Sequence, residues 1–507
     1  MAESREEMAA LLKSKTTLKG LCFSEAIPTA NFTGSVLGEL ATLSNNSHSG
    51  NPTGGRAFSY TELEKYAFHS CTLGIPYRHG ARAALATALL LSEQSGSPHE
   101  AHELTAHIAA ETFQELCEIY GLSYESAEVF FDDNATTALF SLLALLTDKT
   151  AQSILSFSDT GRLINPTLKG AHPFQHAANF PAAVDIWDNK RLDTLIRASE
   201  HISNSIHTIH TYLPHRATHE QLLEQVHRAV TKQPISLAVI PTITSSGYRV
   251  PFIEVAQILR GHSHGEKTIL LLDDCQGVGR LNLIDGKGVV DDERDLLWNY
   301  YDGVFLTGAK VLGALLGTGA ILWQGQRLKQ RLLPFEQSSS LQRHRSWSFW
   351  SYDLERVDRW NKTATTGGMA QAPELASLLV CLRRLREITS SHWKSSPLAT
   401  ELLNLISRHQ RITAYSSRPR DQTQCDSIIS FAVPDEQQWL NAKRDLLHKP
   451  QLNEEKANHI DRISLPAHLT VHGASIARFA LNPLTLYEEP DYASRALVSL
   501  ERLLTLL

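Results

Sequence analysis

The sequence predicts an α/β protein with a mostly parallel sheet, followed by a smaller α+β unit. Two short apolar runs carry that prediction. Thr268 to Leu272 ends in Asp273, Asp274, Cys275 and Gln276, and Gly303 to Leu306 ends in Thr307, Gly308, Ala309 and Lys310. Strands buried on both faces read as continuous apolar runs, and ligands of such sheets gather beyond the carboxyl ends of the strands. The third observation is that helical patterns alternate with strand patterns upstream of these runs.

With 507 residues the chain is expected to hold two or three domains. Its 42% hydrophobic and 20% charged content is that of an ordinary globular chain. A formal charge of -6 argues against a general nucleic-acid surface. No apolar run approaches membrane-spanning length, and the acidic start M-A-E-S-R-E-E has no signal-peptide core. The six cysteines are scattered without C-x-x-C pairing, which predicts reduced thiols and a cytoplasmic protein.

Taken in order, Glu6 to Leu18 is helix-compatible and 44–56 is a turn-rich loop. Glu103 to Tyr120 has the spacing of an amphipathic helix, and Val129 to Phe131 that of a strand. That strand runs through a polar turn, Asn134, Ala135, Thr136 and Thr137, into an apolar helix. Free N–H groups at such a helix start suit a phosphate, though a simple Asn or Thr cap would look the same. His207, His210, His215 and His219 follow. The first two could share a helix face, but no carboxylate or cysteine completes a metal set. Ser236 to Ile240 reads as a strand and 254–260 as a helix. Arg280 to Tyr300 reads as a long charged loop, and Glu374 to Ile388 as a helix. Ser427 to Val433 reads as a strand, and Arg478 falls on a further apolar strand. Arginine there could clasp a substrate carboxylate in two-pronged fashion or pin the small unit structurally.

The D-x-x-Q of Asp273 to Gln276, then T-G-A-K at Thr307 to Lys310 with Gly313, Gly317 and Gly319 beyond, resembles fold-type-I pyridoxal-phosphate enzymes. Within them it is most similar to the class V aminotransferase and cysteine desulfurase group. The resemblance implies a large domain with a mostly parallel sheet of seven-stranded type between helices, and a smaller C-terminal α+β domain. It implies residues 1–100 as an N-terminal arm and first helix, 101–370 as the cofactor-binding domain and 371–507 as the small domain. It implies pyridoxal 5'-phosphate as cofactor, Lys310 as the Schiff-base lysine, Asp273 on the pyridine nitrogen and Gln276 on the 3-hydroxyl. N-A-T-T-A-L matches the group's phosphate turn, and Gln175-His176-Ala177-Ala178-Asn179 resembles the segment whose histidine stacks on the ring. Thr244 is the candidate near the 3-hydroxyl. Thr365 or Thr366, in T-A-T-T-G-G, resembles the threonine lent to a neighbouring subunit's phosphate, which implies a homodimer with shared sites. Arg478 corresponds to the arginine that often binds a substrate carboxylate.

The chain departs from the group at Ala309, where desulfurases usually carry histidine, leaving Thr307 as the hydroxyl donor of that loop. No cysteine follows Cys425, so persulfide chemistry is not expected. The resemblance therefore implies an enzyme acting on an amino acid or amine by transamination or other α-proton chemistry, such as β-elimination or epimerisation. Decarboxylation and carbon–sulfur or carbon–carbon lysis stand as alternatives. A nicotinamide dehydrogenase is disfavoured, because Gly277-Val278-Gly279 is followed by Arg280, Leu281 and Asn282 and the third fingerprint glycine is missing. A cofactor-free scaffold is disfavoured by Asp273, Gln276, His176 and Lys310 standing together.

Overall fold

The computed structural model describes residues 78–93, 98–124, 126–132, 135, 154–157, 206–209, 218–244, 246–262, 264–279, 297–315, 317–323, 350–351, 372–387, 397–414, 427–433, 435–448, 466–471, 474–481 and 491–507. Two helices open this part: α1 (Arg78–Glu93) and α2 (Pro98–Tyr120). Helix α2 is stopped by Gly121 at φ 66°, and Leu122 N–H closes back on the Cys117 carbonyl at 2.8 Å. This is a glycine C-cap of the Schellman type, and it fixes Tyr120 as the last helical residue.

The central sheet has eight strands among the described residues. In chain order these are β1 (Glu128–Asp132), β2 (Ile154–Phe157), β3 (Ile206–Ile209), β4 (Leu237–Pro241), β5 (Ile269–Asp273), β6 (Gly303–Thr307), β7 (Gly319–Trp323) and β8 (Trp350–Ser351). They lie in the order β3-β2-β4-β5-β6-β7-β1-β8. From β3 to β6 all neighbours are parallel, whereas β7 runs antiparallel to both β6 and β1, and β8 antiparallel to β1. The sheet is thus mixed at one side, with a two-residue edge strand beyond the expected seven. The neighbouring strands β4, β5, β6 and β7 are buried almost throughout, which explains their continuous apolar runs.

Helix α3 (His219–Lys232) begins with a reciprocal capping box between Thr218 and Gln221, and α4 (Phe252–Gly261) leads towards β5. Helix α5 (Ala372–Glu387) packs on α1 and α2 and gives Leu375, Leu378, Cys381, Leu382 and Leu385 to the core of the large sheet. The helix at the start of the segment expected to form the small domain therefore shares the large core. Its basic end is tied to α2 by Arg383 with Glu111 and Glu115, and by Arg386 with Glu115 and Glu118. Leu297 to Tyr300, at the end of the expected charged loop, is helical, with Leu297 buried and Trp298 Nε1 donating to the Tyr120 carbonyl. His207 lies on strand β3, so it shares no helix face with His210, which lies outside the described residues.

A second core joins α6 (Pro397–Arg408), β9 (Ile428–Ala432), α7 (Glu436–His448), β11 (Ala474–Ala480) and α8 (Asp491–Thr505), and β10 (Ala467–Val471) pairs with β11. Its sheet is antiparallel, three-stranded and ordered β10-β11-β9. Strand alternation divides its two faces. Ile429, Phe431, Ala477 and Phe479 enter the small core. Ile428 and Ala480, on the opposite face, cluster with Ile243 of the large domain. Ser430, also on that face, donates from Oγ to the Ser246 carbonyl at 2.6 Å.

Candidate active site

The candidate site lies at the carboxyl ends of β4, β5 and β6. Asp273 is the last residue of β5, opposite Pro241 of β4 on one side and Phe305 of β6 on the other. The ladder continues beyond it: Thr242 N–H donates to the Asp273 carbonyl at 3.0 Å, and Asp274 N–H to the Phe305 carbonyl at 2.9 Å. Continued extension makes the two adjacent carboxylates face opposite ways. Asp273 is half-buried, and its Oδ1 accepts the Cys275 N–H at 3.1 Å. Asp274 is fully buried, accepting from Tyr120 Oη at 2.7 Å and Thr242 Oγ1 at 2.8 Å.

Burial pushes the Asp274 carboxyl up to about 7, against the two hydroxyl donors that lower it, and the Asp273 charge adds to the rise. Tyr120 is held well above the usual phenol range by burial and then by the Asp274 charge. The Cys275 thiol is raised well above its ordinary value, first by burial and next by Asp273, while Lys310 pulls it down. Cys275 thus feels both Asp273 and Lys310, and it stays a thiol, unsuited to nucleophilic or persulfide work.

Lys310 stands half-buried in the loop after β6. That loop folds back on the start of β7. Gly308 N–H donates to the Thr318 carbonyl at 2.8 Å, Thr307 Oγ1 donates to the same carbonyl at 3.1 Å, and Ala314 N–H to the Gly308 carbonyl at 2.9 Å. A Cβ on Gly308 would come within 2.6 Å of Thr318 Oγ1 and 2.8 Å of Leu378 Cδ1. Only glycine lets the lysine-bearing loop lie this close to β7 and α5.

Two of the expected hydroxyls make contacts of their own. Thr307 spends its hydroxyl proton on Thr318, and Thr244 is committed to its own turn. Thr244 Oγ1 accepts the Tyr248 N–H at 3.0 Å and lies 3.0 Å from Ser246 Oγ, with the residue 2% exposed. Two residues earlier, Thr242 supplies the hydroxyl that reaches the strand ends. Gln276 is buried in the turn after Asp273, and Ala135 is buried just beyond β1. Arg478 is 3% exposed on the central strand of the small sheet and pairs in register with Ser430. It therefore lies on the sheet face that meets the large-domain hairpin. Asn134, Thr136, Thr137, His176, Thr365 and Thr366 lie outside the described residues.

Tyr120 was not found by motif reading. It is 154 positions from its partner Asp274, and no spacing links them. Among the described residues no group of three or more His, Cys, Asp or Glu could hold a metal ion, and no helix is long and apolar enough to cross a membrane. The residues delivered beyond the strand ends are Asp273, Lys310 and Gln276: a carboxylate, an amine and a carboxamide. That set fits a group with a basic ring nitrogen and a carbonyl carbon, which pyridoxal phosphate has.

No protein-family model matches the chain, and no curated protein matches it. Solved structures do. A C-DES mutant, of a cystine C–S lyase, with glycine covalently linked to its pyridoxal-phosphate cofactor aligns at a TM-score of 0.55 and 14% identity, over 86% of this chain and 96% of that one. A cysteine desulfurase from Thermococcus onnurineus NA1 aligns at 0.54 and 12%, over 87% and 95%. An alanine–glyoxylate aminotransferase from Nostoc sp. aligns at 0.51 and 14%, over 79% and 87%. The chain has the fold-type-I architecture of these structures.

Proposed function

We propose that the chain is a pyridoxal-phosphate-dependent enzyme acting on an amino acid. The carrying observation is the delivery of Asp273 and Lys310 from the carboxyl ends of adjacent parallel strands, with Gln276 buried in the turn between them. The shared fold supports the reading. Lys310 offers the amine that holds the cofactor's carbonyl carbon, and Asp273 the carboxylate that keeps the ring nitrogen protonated. Gln276 would hold the 3-hydroxyl, and Asn134, Ala135, Thr136 and Thr137 would hold the phosphate. His176 would lie over the ring, and Thr365 or Thr366 of a second copy would complete the phosphate site in a homodimer. When bound, the cofactor supplies an electron sink for the charge left at the substrate α-carbon.

The chain's own groups do the rest. The Lys310 amine would move the proton at the substrate α-carbon. Arg478, on the small-sheet face turned to the large domain, holds the substrate carboxylate. Burial of Cys275 keeps a competing nucleophile out of the reaction. Transamination or related α-proton chemistry is the first reading. Carbon–sulfur lysis is the second, favoured by the C-DES likeness, and sulfur delivery through a chain cysteine is not part of it. The test is a spectral titration of the purified protein with pyridoxal phosphate. The native chain should develop a yellow absorption band that Lys310→Ala lacks. A native chain that stays colourless with excess cofactor contradicts the reading.

A further inference from the structure

We propose that Asp274 is a positioning residue: through Tyr120 and Thr242 it fixes the turn that aims Asp273 and Gln276 into the site, a role that rests on the cofactor reading above. Every polar atom of Asp274 is engaged. Its N–H donates to the Phe305 carbonyl at 2.9 Å, and its carbonyl receives Gly277 N–H at 3.1 Å and Val278 N–H at 3.0 Å. Oδ1 takes the Thr242 hydroxyl at 2.8 Å and Oδ2 the Tyr120 hydroxyl at 2.7 Å. One residue thus ties together β6, the 274–278 turn, the end of β4 and the end of α2. A carboxylate without solvent contact is costly unless it is fully hydrogen-bonded, and an apolar side chain would fill the space at lower cost. What the acid adds is a fork that sets the spacing between two hydroxyls.

That fork bears directly on both neighbours. Thr242 binds Asp274 and the Asp273 carbonyl together, by N–H at 3.0 Å and by Oγ1 at 3.3 Å. On the other side, a Cβ at Gly277 would come within 2.0 Å of Asp274 Oδ1 and 2.2 Å of Thr242 Oγ1. The carboxylate therefore lies against the backbone next to Gln276, and moving it moves that residue.

The test is a double-mutant cycle read as the dissociation constant for pyridoxal phosphate in the full chain. Asp274→Ala should weaken binding about tenfold in the native background and less than about threefold in Asp273→Asn, because a residue acting through another loses its effect when the other is changed. Asp274→Asn, which keeps shape and an acceptor, should recover most of the affinity. Tyr120→Phe should repeat the pattern more weakly, and it decides the matter if Asp274→Ala does not fold. Effects that multiply independently, or Asp274 variants that bind as well as native while only melting earlier, overturn the proposal and leave the functional reading standing. A native protein that takes up no cofactor overturns both.

Discussion

Two adjacent carboxylates at the end of β5 have divided their work by geometry alone. Asp273 keeps its side chain half-buried at the sheet end, and Asp274 spends both oxygens on hydroxyls in the interior. With saturating cofactor, Asp273→Asn should keep its cofactor but lose at least about a hundredfold in turnover, the scale of removing a placed electrostatic group. Asp274→Asn should stay within about threefold of native, since it keeps its shape and one acceptor. Turnover and cofactor content of both variants check this, and an inactive Asp274→Asn beside an active Asp273→Asn would shift the register by one residue. The raised Asp274 carboxyl also gives a pH signature. Its folded value of about 7 lies above its ordinary 3.8, so the folded state holds the proton more tightly. Stability falls as pH rises from about 4 to about 7 and then levels off, by at most roughly 4 kcal/mol at about 1.4 kcal/mol per unit. The melting temperature of the native protein should drop across that window relative to Asp274→Asn; a constant difference would count against it. The D-x-x-Q and T-G-A-K motifs were legible because strand ends deliver chemistry in short sequence windows. Tyr120 was not, because it meets Asp274 only through the fold, and the turn contacts of Thr244 were equally hidden because a hydroxyl in a sequence does not show which turn will use it.

Among the elements, the hairpin that follows β4 joins site and small domain. Thr244 N–H bonds the Tyr248 carbonyl at 2.9 Å, and Val250 N–H bonds Thr242 at 3.0 Å. Gly247 holds φ 93°, and a Cβ there would come within 2.9 Å of the Ile428 carbonyl. Gly247→Ala should therefore destabilise the protein by about 1–3 kcal/mol through strain and lost closeness to β9. Denaturant unfolding measures this, and an unchanged midpoint would show that the small domain does not lean on the hairpin. Strands β1, β4, β5, β6, β9 and β11 were readable from apolar runs, whereas β2, β3, β7, β8 and β10 were not named from the sequence. The reversed direction of β7 was not readable, because a continuously buried strand looks the same in either orientation. The membership of α5 in the large core was equally hidden, since an apolar helix face does not announce which core it fills.

For the whole molecule, a third small cluster of Ile243, Ile428 and Ala480, with the Ser430–Ser246 bond, joins the two sheets beside the proposed site. This puts Arg478 on the face through which substrate and domain position would be linked. The α/β architecture was legible because paired polar endings after apolar strands are a property of parallel sheets, whereas subunit contacts leave no such pattern. The dimer implied by Thr365 and Thr366 should appear in light scattering at twice the chain mass, and a monomer that binds cofactor tightly would contradict it. The central claim is that Lys310 carries pyridoxal phosphate, and reduction with borohydride followed by peptide mapping tests it most directly. The account predicts one cofactor-labelled peptide, containing Lys310, from the native protein and none from Lys310→Ala. A label on another lysine, or no label after incubation with excess cofactor, would contradict it.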